Sequence, residues 1–447
     1  MDTPIYDFVR EYARRNTMRL HMPGHKGMSL LGMECMDITE VAGADSLYEA
    51  DGIIAQSEAN AGVRFGCRTI YATEGSSQCI RAMLYLVLLY ARQSGRKPLV
   101  AAGRNAHKTF LTAAALLDLD VQWLHPQNNA SYLSCHLTAE ELEAYLNGLE
   151  EKPAAVYLTS PDYLGNIADI AALAEVCHRY DVLMVVDNAH GAYLKFLPDS
   201  MHPIDLGADL CCDSAHKTLP VLTGGAYLHL SAKMEAAVGV QAKNAMMLFG
   251  STSPSYLILQ SLDVVNRYLE GYPRRLREFL SAVEPLKARL QQHGYCLYGT
   301  EPLKLTIHAK AYGYTGVQLA ESLREQNIEP EFADQDYLVL MLTPEITVDG
   351  LQQLEQALCQ IPPRTTIEEA APKFIKGEQL LSIREAMFSN AEVLPVEHCL
   401  GRILAVPTVG CPPAVPILVC GEKITEHAIA CFAYYGITSC CVVKDQW

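Results

Sequence analysis

The stretch Val182-Leu-Met-Val-Val-Asp-Asn-Ala-His-Gly191 decides the fold of this 447-residue chain. Its five leading apolar residues run without alternation and end at Asp187, which is typical of a strand buried on both faces of a parallel sheet. Short apolar runs of the same kind alternate with helical patterns, at 98–102, 109–117, 121–124, 154–159 and 170–180. Between about residues 61 and 265, this alternation predicts an α/β domain with helices on both faces of a parallel sheet, a three-layer α/β/α arrangement.

Two strand ends carry the residues with the clearest chemistry. Ligands of such sheets gather at the carboxyl ends of the strands, where Asp187 is predicted to lie. Leu210-Cys-Cys-Asp-Ser-Ala-His-Lys-Thr218 is a second strand-to-loop transition, and its Lys217 amine can form a Schiff base with an aldehyde. Because an aspartate can hold a pyridine nitrogen protonated, the two residues together suggest pyridoxal phosphate as cofactor. Taken singly, Asp187 fits a cap of the next segment as well, and Lys217 fits a surface turn better.

Two further loops fit the same cofactor. Thr73-Glu-Gly-Ser-Ser77 precedes an apolar helix, so its hydroxyls and the free N–H groups of the helix predict a phosphate site, although an ordinary N-cap explains them too. In Arg104-Asn-Ala-His-Lys108, His107 is positioned to lie on a planar ring, or is simply a loop histidine.

Three polar side chains near Asp187 and Lys217 complete the predicted site. His190 is expected to reach the phenolic oxygen of the cofactor or the carboxylate of a substrate. Ser214 and His216 are expected to donate to the phosphate. Each of these elements follows a strand, and their order along the chain favours one site over unrelated turns.

The remainder of the chain predicts four segments: an irregular N-terminal segment 1–60, a major domain 61–295, a small α+β domain 296–362 and a C-terminal domain 363–447. A long helix is predicted over 255–292, with Pro273 as a kink or break. The pattern strand, helix, strand, helix is predicted for 303–308, 315–326, 337–342 and 348–360.

Composition narrows the class of protein. The formal charge of −16 argues against nucleic-acid binding and suits a cationic small substrate, although it also serves solubility. No apolar stretch approaches the roughly 18 residues of a membrane span, and 83–91 is predicted to be a buried helix. The N-terminus shows no signal-peptide pattern. Fifteen cysteines without Cys-x-x-Cys spacing favour a reduced, cytoplasmic protein and do not favour a zinc site.

The sequence resembles the bacterial ornithine/lysine/arginine decarboxylases, which are fold-type-I enzymes dependent on pyridoxal phosphate. His21-Met-Pro-Gly-His-Lys-Gly27 and Ser214-Ala-His-Lys-Thr-Leu-Pro220 carry the resemblance most specifically. It extends through most of the chain, at Asp37–Glu40, Gly75–Ser77, Arg104–Lys108, Asp187–Gly191, Thr252–Tyr256, Pro412–Pro416 and Gly421–Glu422. The chain begins almost directly at the first motif, so it is similar to the short type, in which arginine decarboxylases are familiar.

The resemblance implies a role for each matching residue. Lys217 would bind the cofactor aldehyde, Asp187 the pyridine nitrogen, and His107 would stack on the ring. Thr252 and Ser253 would reach the phosphate of a neighbouring subunit in a homodimer. Glu422 is the candidate partner of the distal cation of the substrate. The implied cofactor ligands are Gly75, Ser76, Ser77, His107, Asp187, His190, Ser214, His216, Lys217, Thr252 and Ser253.

Some positions depart from the family pattern. Asn188 stands where Glu is usual, Asp162 where Thr is common, and Cys411 and Cys420 change the C-terminal Pro-rich and Gly-Glu elements. The implied reaction is decarboxylation of arginine, lysine or ornithine to agmatine, cadaverine or putrescine. Two alternatives remain open, an aminotransferase on the same fold and a catalytically inert protein that binds the cofactor.

Overall fold

The computed structural model describes residues 1–126, 131–373, 375–409 and 415–444. The chain divides into two compact units that are not contiguous in sequence. The first unit comprises Met1–Lys97, Ala154–Val156 and Ile170–Arg275, and the second comprises Pro98–Pro153, Tyr157–Asp169 and Leu276–Trp447. The domain boundaries expected from the sequence, after residues 60, 295 and 362, stay a prediction.

The helices and strands of the described residues follow in chain order. The helices are α1 Pro4–Arg14, α2 Ile53–Phe65, α3 Gly75–Gln93, α4 Lys108–Leu117, α5 Ala139–Asn147, α6 Ile170–Arg179, α7 Ala215–Thr218, α8 Ala232–Val238, α9 Ala242–Met247, α10 Tyr256–Tyr268, α11 Tyr272–His293, α12 Gly316–Arg324, α13 Thr347–Cys359, α14 Ile383–Phe388 and α15 Glu426–Tyr434. The strands are β1 Arg68–Ala72, β2 Leu99–Gly103, β3 Asp120–Leu124, β4 Ala155–Thr159, β5 Leu183–Asp187, β6 Leu210–Asp213, β7 Ala226–Leu230, β8 Leu297–Tyr298, β9 Lys304–His308, β10 Phe332–Ala333, β11 Tyr337–Met341, β12 Ala391–Pro395, β13 Thr408–Val409, β14 Pro416–Leu418 and β15 Ser439–Val443.

The main sheet confirms the predicted strands but is not wholly parallel. In the described residues its order is β1-β7-β6-β5-β4-β2-β3. β5 pairs with β6, and β2 with β3, in parallel, whereas β7 is antiparallel to both β6 and β1. The prediction of a purely parallel sheet is therefore wrong at β7. The β6–β7 connection contains only the four-residue helix α7, which is shorter than the helices that usually cross over between parallel strands.

The first 60 residues are not wholly irregular, contrary to the prediction. α1 begins with a proline, which suits the first turn of a helix, and buries Ile5 and Val9. The carboxylate of Asp263 accepts the N–H groups of Ile5 and Tyr6, each at 2.9 Å, and so satisfies two donors that α1 itself leaves unpaired. A capping carboxylate more than 250 residues away gives no local signal in the sequence.

The predicted long helix is divided, as the position of Pro273 suggested. α10 ends at Tyr268 and α11 begins at Tyr272, so Pro273 lies in the first turn of the second helix, where its missing N–H leaves no bond unmade. α3 confirms the predicted buried helix around 83–91. Among the described residues, none of the helices combines the length and apolar character that spanning a membrane requires.

The second unit contains a small sheet in the order β10-β11-β9-β8. Its strands β9 and β11 and helices α12 and α13 confirm the predicted strand-helix-strand-helix pattern. Beyond it, α15 and β15 contribute Phe432 and Val442 to an apolar core that also includes Leu404 and, from the small sheet, Val339. In the Pro-rich element, residues 411–414 lie outside the described residues.

Candidate active site

The end of β5 holds Asp187 in a buried position. All five residues of β5 are buried, and Asp187 is 2% exposed. Its Oδ1 accepts the Ala189 N–H at 3.2 Å and lies 3.6 Å from Cys212 Sγ. Burial, followed by the Asp187 charge, raises the pKa of the Cys212 thiol well above its usual range, so the thiol keeps its proton and donates. The strand end therefore supports a carboxylate with nearby donors.

Lys217 lies in α7, in the connection that follows β6. Its Nζ is 3.0 Å from Nε2 of His190, which is 5% exposed. The sequence assigned His190 to the cofactor oxygen or the substrate carboxylate, and the structure brings it to the lysine amine. An imidazole at this distance can exchange a proton with an amine. The pair therefore combines a nucleophile with a proton acceptor.

A group of hydroxyls lies at the N-terminus of α3. Ser214 Oγ donates to Ser76 Oγ at 2.8 Å, so the loop before Lys217 meets the first turn of α3. Ser77 is half-buried in the same turn. Gly75 has a φ of +72°, and a Cβ built there would meet no atom within 4 Å, which leaves open space at the helix start. The Nδ1 of His216 is 2.9 Å from the carbonyl oxygen of Gly225, so the structure fixes this ring through the backbone.

These residues fit pyridoxal phosphate by their chemistry. The start of a 19-residue helix offers N–H groups and a positive dipole end to a phosphate, with serine hydroxyls beside it. The Lys217 amine matches an aldehyde, and the buried Asp187 carboxylate matches a protonated pyridine nitrogen. The first unit thus supplies a partner for each polar end of the cofactor.

Thr252 and Ser253 are exposed and lie outside this group. The Ser253 N–H donates to Ser251 Oγ at 3.1 Å, and the Ser251 N–H donates to Glu74 Oε1. The segment is thereby held beside the residue that precedes α3. Their predicted contact with a second subunit stays a prediction.

His107 belongs to the second unit, where it caps α4. Its Nδ1 accepts the Thr109 N–H at 3.2 Å and lies 2.9 Å from Thr109 Oγ1. The alternative that the sequence left open, a histidine near a helix start, is therefore realised locally. Its predicted stacking on the cofactor ring stays a prediction.

Glu422 also belongs to the second unit and forms a buried ion pair. Its Oε2 accepts from Arg104 Nη2 at 3.2 Å and from the Val419 N–H at 2.8 Å, and both charged side chains are at most 3% exposed. Arg104 donates as well to the carbonyl oxygens of Pro416 at 2.9 Å and Ile417 at 3.1 Å. Glu422 is therefore the counter-ion of a buried arginine, and its contact with a substrate cation stays a prediction.

Sequence reasoning missed a buried network around Asp213. Its Oδ2 accepts from Nε2 of His202 and of His229, at 3.1 Å each, and its Oδ1 accepts from Asn188 Nδ2 at 2.7 Å. The side chains of Asp213 and both histidines are completely buried. The sequence contains two signals that could have indicated this network: Asp213 ends one apolar run, and His229 lies inside another.

The same network resembles a metal site in composition. Ligand atoms of His202, Cys211 and Asp213 all lie within 4.8 Å of one another. Asp213 accepts hydrogen bonds from both imidazoles and the Asn188 amide, and the Cys211 thiol lies 3.8 Å from its Oδ1, so hydrogen bonds explain why these groups lie together. We therefore describe the cluster as a hydrogen-bonded ion-pair network.

The network predicts a dependence of stability on pH. Burial alone would lower the pKa of His229, but the Asp213 carboxylate outweighs it, and the pKa of His229 is raised. Burial alone would raise the pKa of Asp213, but the two imidazoles hold it far below its usual range. The histidine contribution to stability is complete below the unfolded-state pKa of about 6.5 and is lost as pH rises through the folded-state value. The aspartate contribution is complete above about pH 3.9 and is lost as pH falls through the folded-state value.

The contribution of this network to stability should therefore be largest between about pH 4 and pH 6.5. Thermal unfolding of the wild type and of Asp213→Asn, followed from about pH 4 to pH 9, measures it. We expect the difference in Tm to be widest below about pH 6.5 and to narrow at alkaline pH. A difference that does not change with pH would contradict an ion pair.

Comparisons with known proteins cover nearly the whole chain. The family model described as Orn/Lys/Arg decarboxylase, major domain, matches residues 3–296, and the one described as Orn/Lys/Arg decarboxylase, C-terminal domain, matches residues 377–440. A protein named arginine decarboxylase from Bacillus subtilis (strain 168) is 30% identical over 464 residues, which cover 96% of this chain and 92% of that protein. An arginine decarboxylase of Halalkalibacterium halodurans is 29% identical, with coverage of 96% and 92%.

Solved structures confirm the fold class. The lysine decarboxylase of Francisella novicida matches with a TM-score of 0.80 over 99% of this chain and 81% of that chain. Its sequence is 16% identical, so this likeness bears on the fold alone.

Proposed function

Because this chain belongs to the Orn/Lys/Arg decarboxylase family, we propose that it removes the α-carboxylate of a basic amino acid with pyridoxal phosphate bound through Lys217. The observation that carries this proposal is the 3.0 Å contact between Lys217 Nζ and His190 Nε2. The same unit also contains Asp187 and the serine hydroxyls at the start of α3. An amine beside a proton acceptor, with a buried carboxylate and an anion site, is the set of groups that this cofactor requires.

Each residue has a separate task. When bound, the cofactor ring accepts the electron pair released as the bond to the carboxylate breaks. Lys217 would hold the cofactor through its aldehyde carbon, and His190 would exchange the proton of the lysine amine. Asp187 holds a proton on the pyridine nitrogen, with the Cys212 thiol 3.6 Å away supporting its charge.

The phosphate is proposed to bind at the start of α3. Ser76 and Ser77 lie in its first turn, and Ser214 is already hydrogen-bonded to Ser76 at 2.8 Å. The role proposed for His216 is a contact with the phosphate from the same loop. His107 is proposed to stack on the ring.

Arginine is the proposed substrate, and agmatine and CO2 are the proposed products. Two relatives, each aligned with this chain over 92% of its own length, are named arginine decarboxylases, which supports this choice. A formal charge of −16 favours the approach of a cationic amino acid. Glu422 is the proposed partner of the guanidinium group, and because Glu422 already neutralises Arg104, the substrate would have to share this carboxylate.

A cytoplasmic homodimer is the proposed working form. Apolar side chains of the N-terminal segment are largely exposed, Met18 at 81%, Leu20 at 86% and Leu31 at 82%, which favours a protein contact there. Thr252 and Ser253 are exposed in the single chain. Residues that contact a second subunit would be exposed in this way. The cysteines of the described residues are free thiols, which suits a reducing compartment.

The test supplies purified protein and pyridoxal phosphate with arginine, lysine or ornithine in separate reactions. We expect CO2 and agmatine in equal amounts from arginine, with a kcat/KM at least about tenfold above those for lysine and ornithine. Mass spectrometry identifies the amine, and labelled carboxyl carbon measures the CO2. A keto acid without CO2 would indicate an aminotransferase, and the absence of turnover with all three amino acids would favour an inert cofactor-binding protein.

A further inference from the structure

Asp213 connects three neighbouring strands of the first unit. It ends β6, its partner Asn188 directly follows β5, and its partner His229 lies in β7. These strands are adjacent in the sheet, in the order β7-β6-β5. The backbone N–H of Asn188 also donates to the carbonyl oxygen of Cys212 at 3.0 Å, so β5 and β6 are joined twice at this end.

Asp213 also lies at the start of the segment that carries Lys217. Ser214 directly follows Asp213, and the Lys217 N–H donates to the Ser214 carbonyl oxygen at 3.0 Å. On the other strand, Asn188 directly follows Asp187. A carboxylate at 213 therefore fixes the two chain segments that carry Asp187 and Lys217 through one hydrogen bond and two ion-pair contacts.

The imidazoles of the network are themselves held in place. The Nδ1 of His229 is 3.0 Å from Thr69 Oγ1 in β1. The ring of Phe65 packs against His229 at 4.5 Å and against His202 at 5.5 Å, measured between ring centroids. Fixed donors around a buried carboxylate make a rigid support, because no solvent can replace a lost bond.

Asn188 is one of the departures from the family pattern, and the network gives it a physical reason. Its amide donates to Asp213 at 2.7 Å in a site where Asn188 has no exposed surface. A glutamate at 188, the usual residue in the family, would bring a second carboxylate to Asp213, and like charges without solvent repel strongly. Asn188 and Asp213 are therefore matched to each other in this chain.

We propose that Asp213 is a positioning residue which, with His202, His229 and Asn188, holds Asp187 and Lys217 in the arrangement that binds the cofactor. This inference rests on the proposed function. It assigns no direct contact with substrate or cofactor to Asp213. The residue acts through the ends of β5 and β6.

The test compares Asp213→Asn with Asp209→Asn as a matched control. Asp209 directly precedes β6 and is also a buried carboxylate with a histidine partner, since its Oδ2 is 3.0 Å from His178 Nε2 and its side chain is 3% exposed. Both variants lose the charge of a buried carboxylate that has a histidine partner, His178 being 42% exposed where His202 and His229 are fully buried, and only Asp213 lies at the end of β6 that leads to Lys217. Asn188→Ala is a second, milder variant, which removes one donor to Asp213 and decides the matter if Asp213→Asn does not fold.

Two readouts are measured at a temperature at which each variant is folded. The first is the dissociation constant for pyridoxal phosphate, obtained by titrating the cofactor-free protein and following its intrinsic fluorescence. The second is the visible circular dichroism of the saturated protein, which reports how the ring is held. We expect Asp213→Asn to bind the cofactor at least about tenfold more weakly and to change this spectrum, Asn188→Ala to do so to a smaller degree, and Asp209→Asn to match the wild type.

The outcomes separate this inference from the proposed function. Wild-type protein in which borohydride fixes no cofactor to Lys217 would refute the proposed function, and this inference with it. If wild-type loading is normal, unchanged cofactor affinity and spectrum in Asp213→Asn would overturn this inference alone. Equal losses in Asp213→Asn and Asp209→Asn would do the same, since they would indicate general destabilisation. If the wild type contained a stoichiometric metal ion that Asp213→Asn lacks, the cluster would be a metal site, and the inference of an ion-pair network would be overturned.

Discussion

Replacing Lys217 with alanine is expected to abolish both cofactor attachment and turnover. The side chain supplies the only amine that the proposed mechanism joins to the cofactor aldehyde, and alanine leaves His190 with no amine to exchange a proton with. We expect kcat for arginine to fall by at least about 10³-fold. Borohydride reduction of cofactor-loaded protein, followed by peptide mass mapping, should label Lys217 in the wild type and nothing in Lys217→Ala.

Lys195→Ala is the matched control for this variant. Lys195 lies in the same unit, is 16% exposed and pairs with Asp205 at 2.6 Å, and it has no part in the proposed site. The variant should keep both the label at position 217 and the wild-type rate. A reduced adduct on another lysine, or wild-type turnover by Lys217→Ala, would show that the Schiff base is formed elsewhere.

The residues of the site that could be predicted are those whose signals are local. Asp187 ends an uninterrupted apolar run, and Lys217 stands in a short polar motif after another, so strand burial and the chemistry of the residue types suffice. Six elements between 98 and 187 were predicted to within one residue at each end for the same reason. Regular burial imposes a regular pattern on the sequence.

The contacts that escaped prediction join residues distant in the chain. His202 and His229 meet Asp213 from a loop and from an unpredicted strand, 11 and 16 residues away. Asp263 satisfies the start of α1 from 258 residues away. Such contacts depend on how strands and helices are arranged in space, and no period or spacing in the sequence records that arrangement.

The pairing of Glu422 with Arg104 is another contact between distant residues that the sequence did not predict. The acidic side chain of Glu422 near the C-terminal motif suggested a site for the distal cation of the substrate. Its buried pairing with Arg104, 318 positions earlier, gives it an internal cation of its own. Removing one partner of such a buried pair leaves an uncompensated charge, so the pair has a structural role whichever substrate the protein takes.

The second large effect is expected for Asp187→Ala, which should keep the cofactor but lose most of the rate. The serine hydroxyls at the start of α3 and the Lys217 amine remain in this variant, so cofactor binding should persist. The carboxylate that holds a proton on the ring nitrogen is lost, and with it the charge that makes the ring a good electron acceptor. We expect kcat to fall by about 10²- to 10³-fold, the effect of removing one electrostatic stabiliser from a buried site. Rates are compared per mole of bound cofactor, with Asp209→Ala as the control for loss of a buried carboxylate.

Asp187→Asn then separates charge from packing. Asparagine occupies nearly the same volume and can accept the Ala189 N–H, as Asp187 Oδ1 does at 3.2 Å, but its neutral amide cannot hold the nitrogen protonated. The asparagine variant should therefore be nearly as slow as the alanine variant, with its cofactor absorbance altered before any substrate is added. If asparagine restored the wild-type rate, the carboxylate charge would not be what makes the ring an electron acceptor, and Asp187 would serve this site only by its shape.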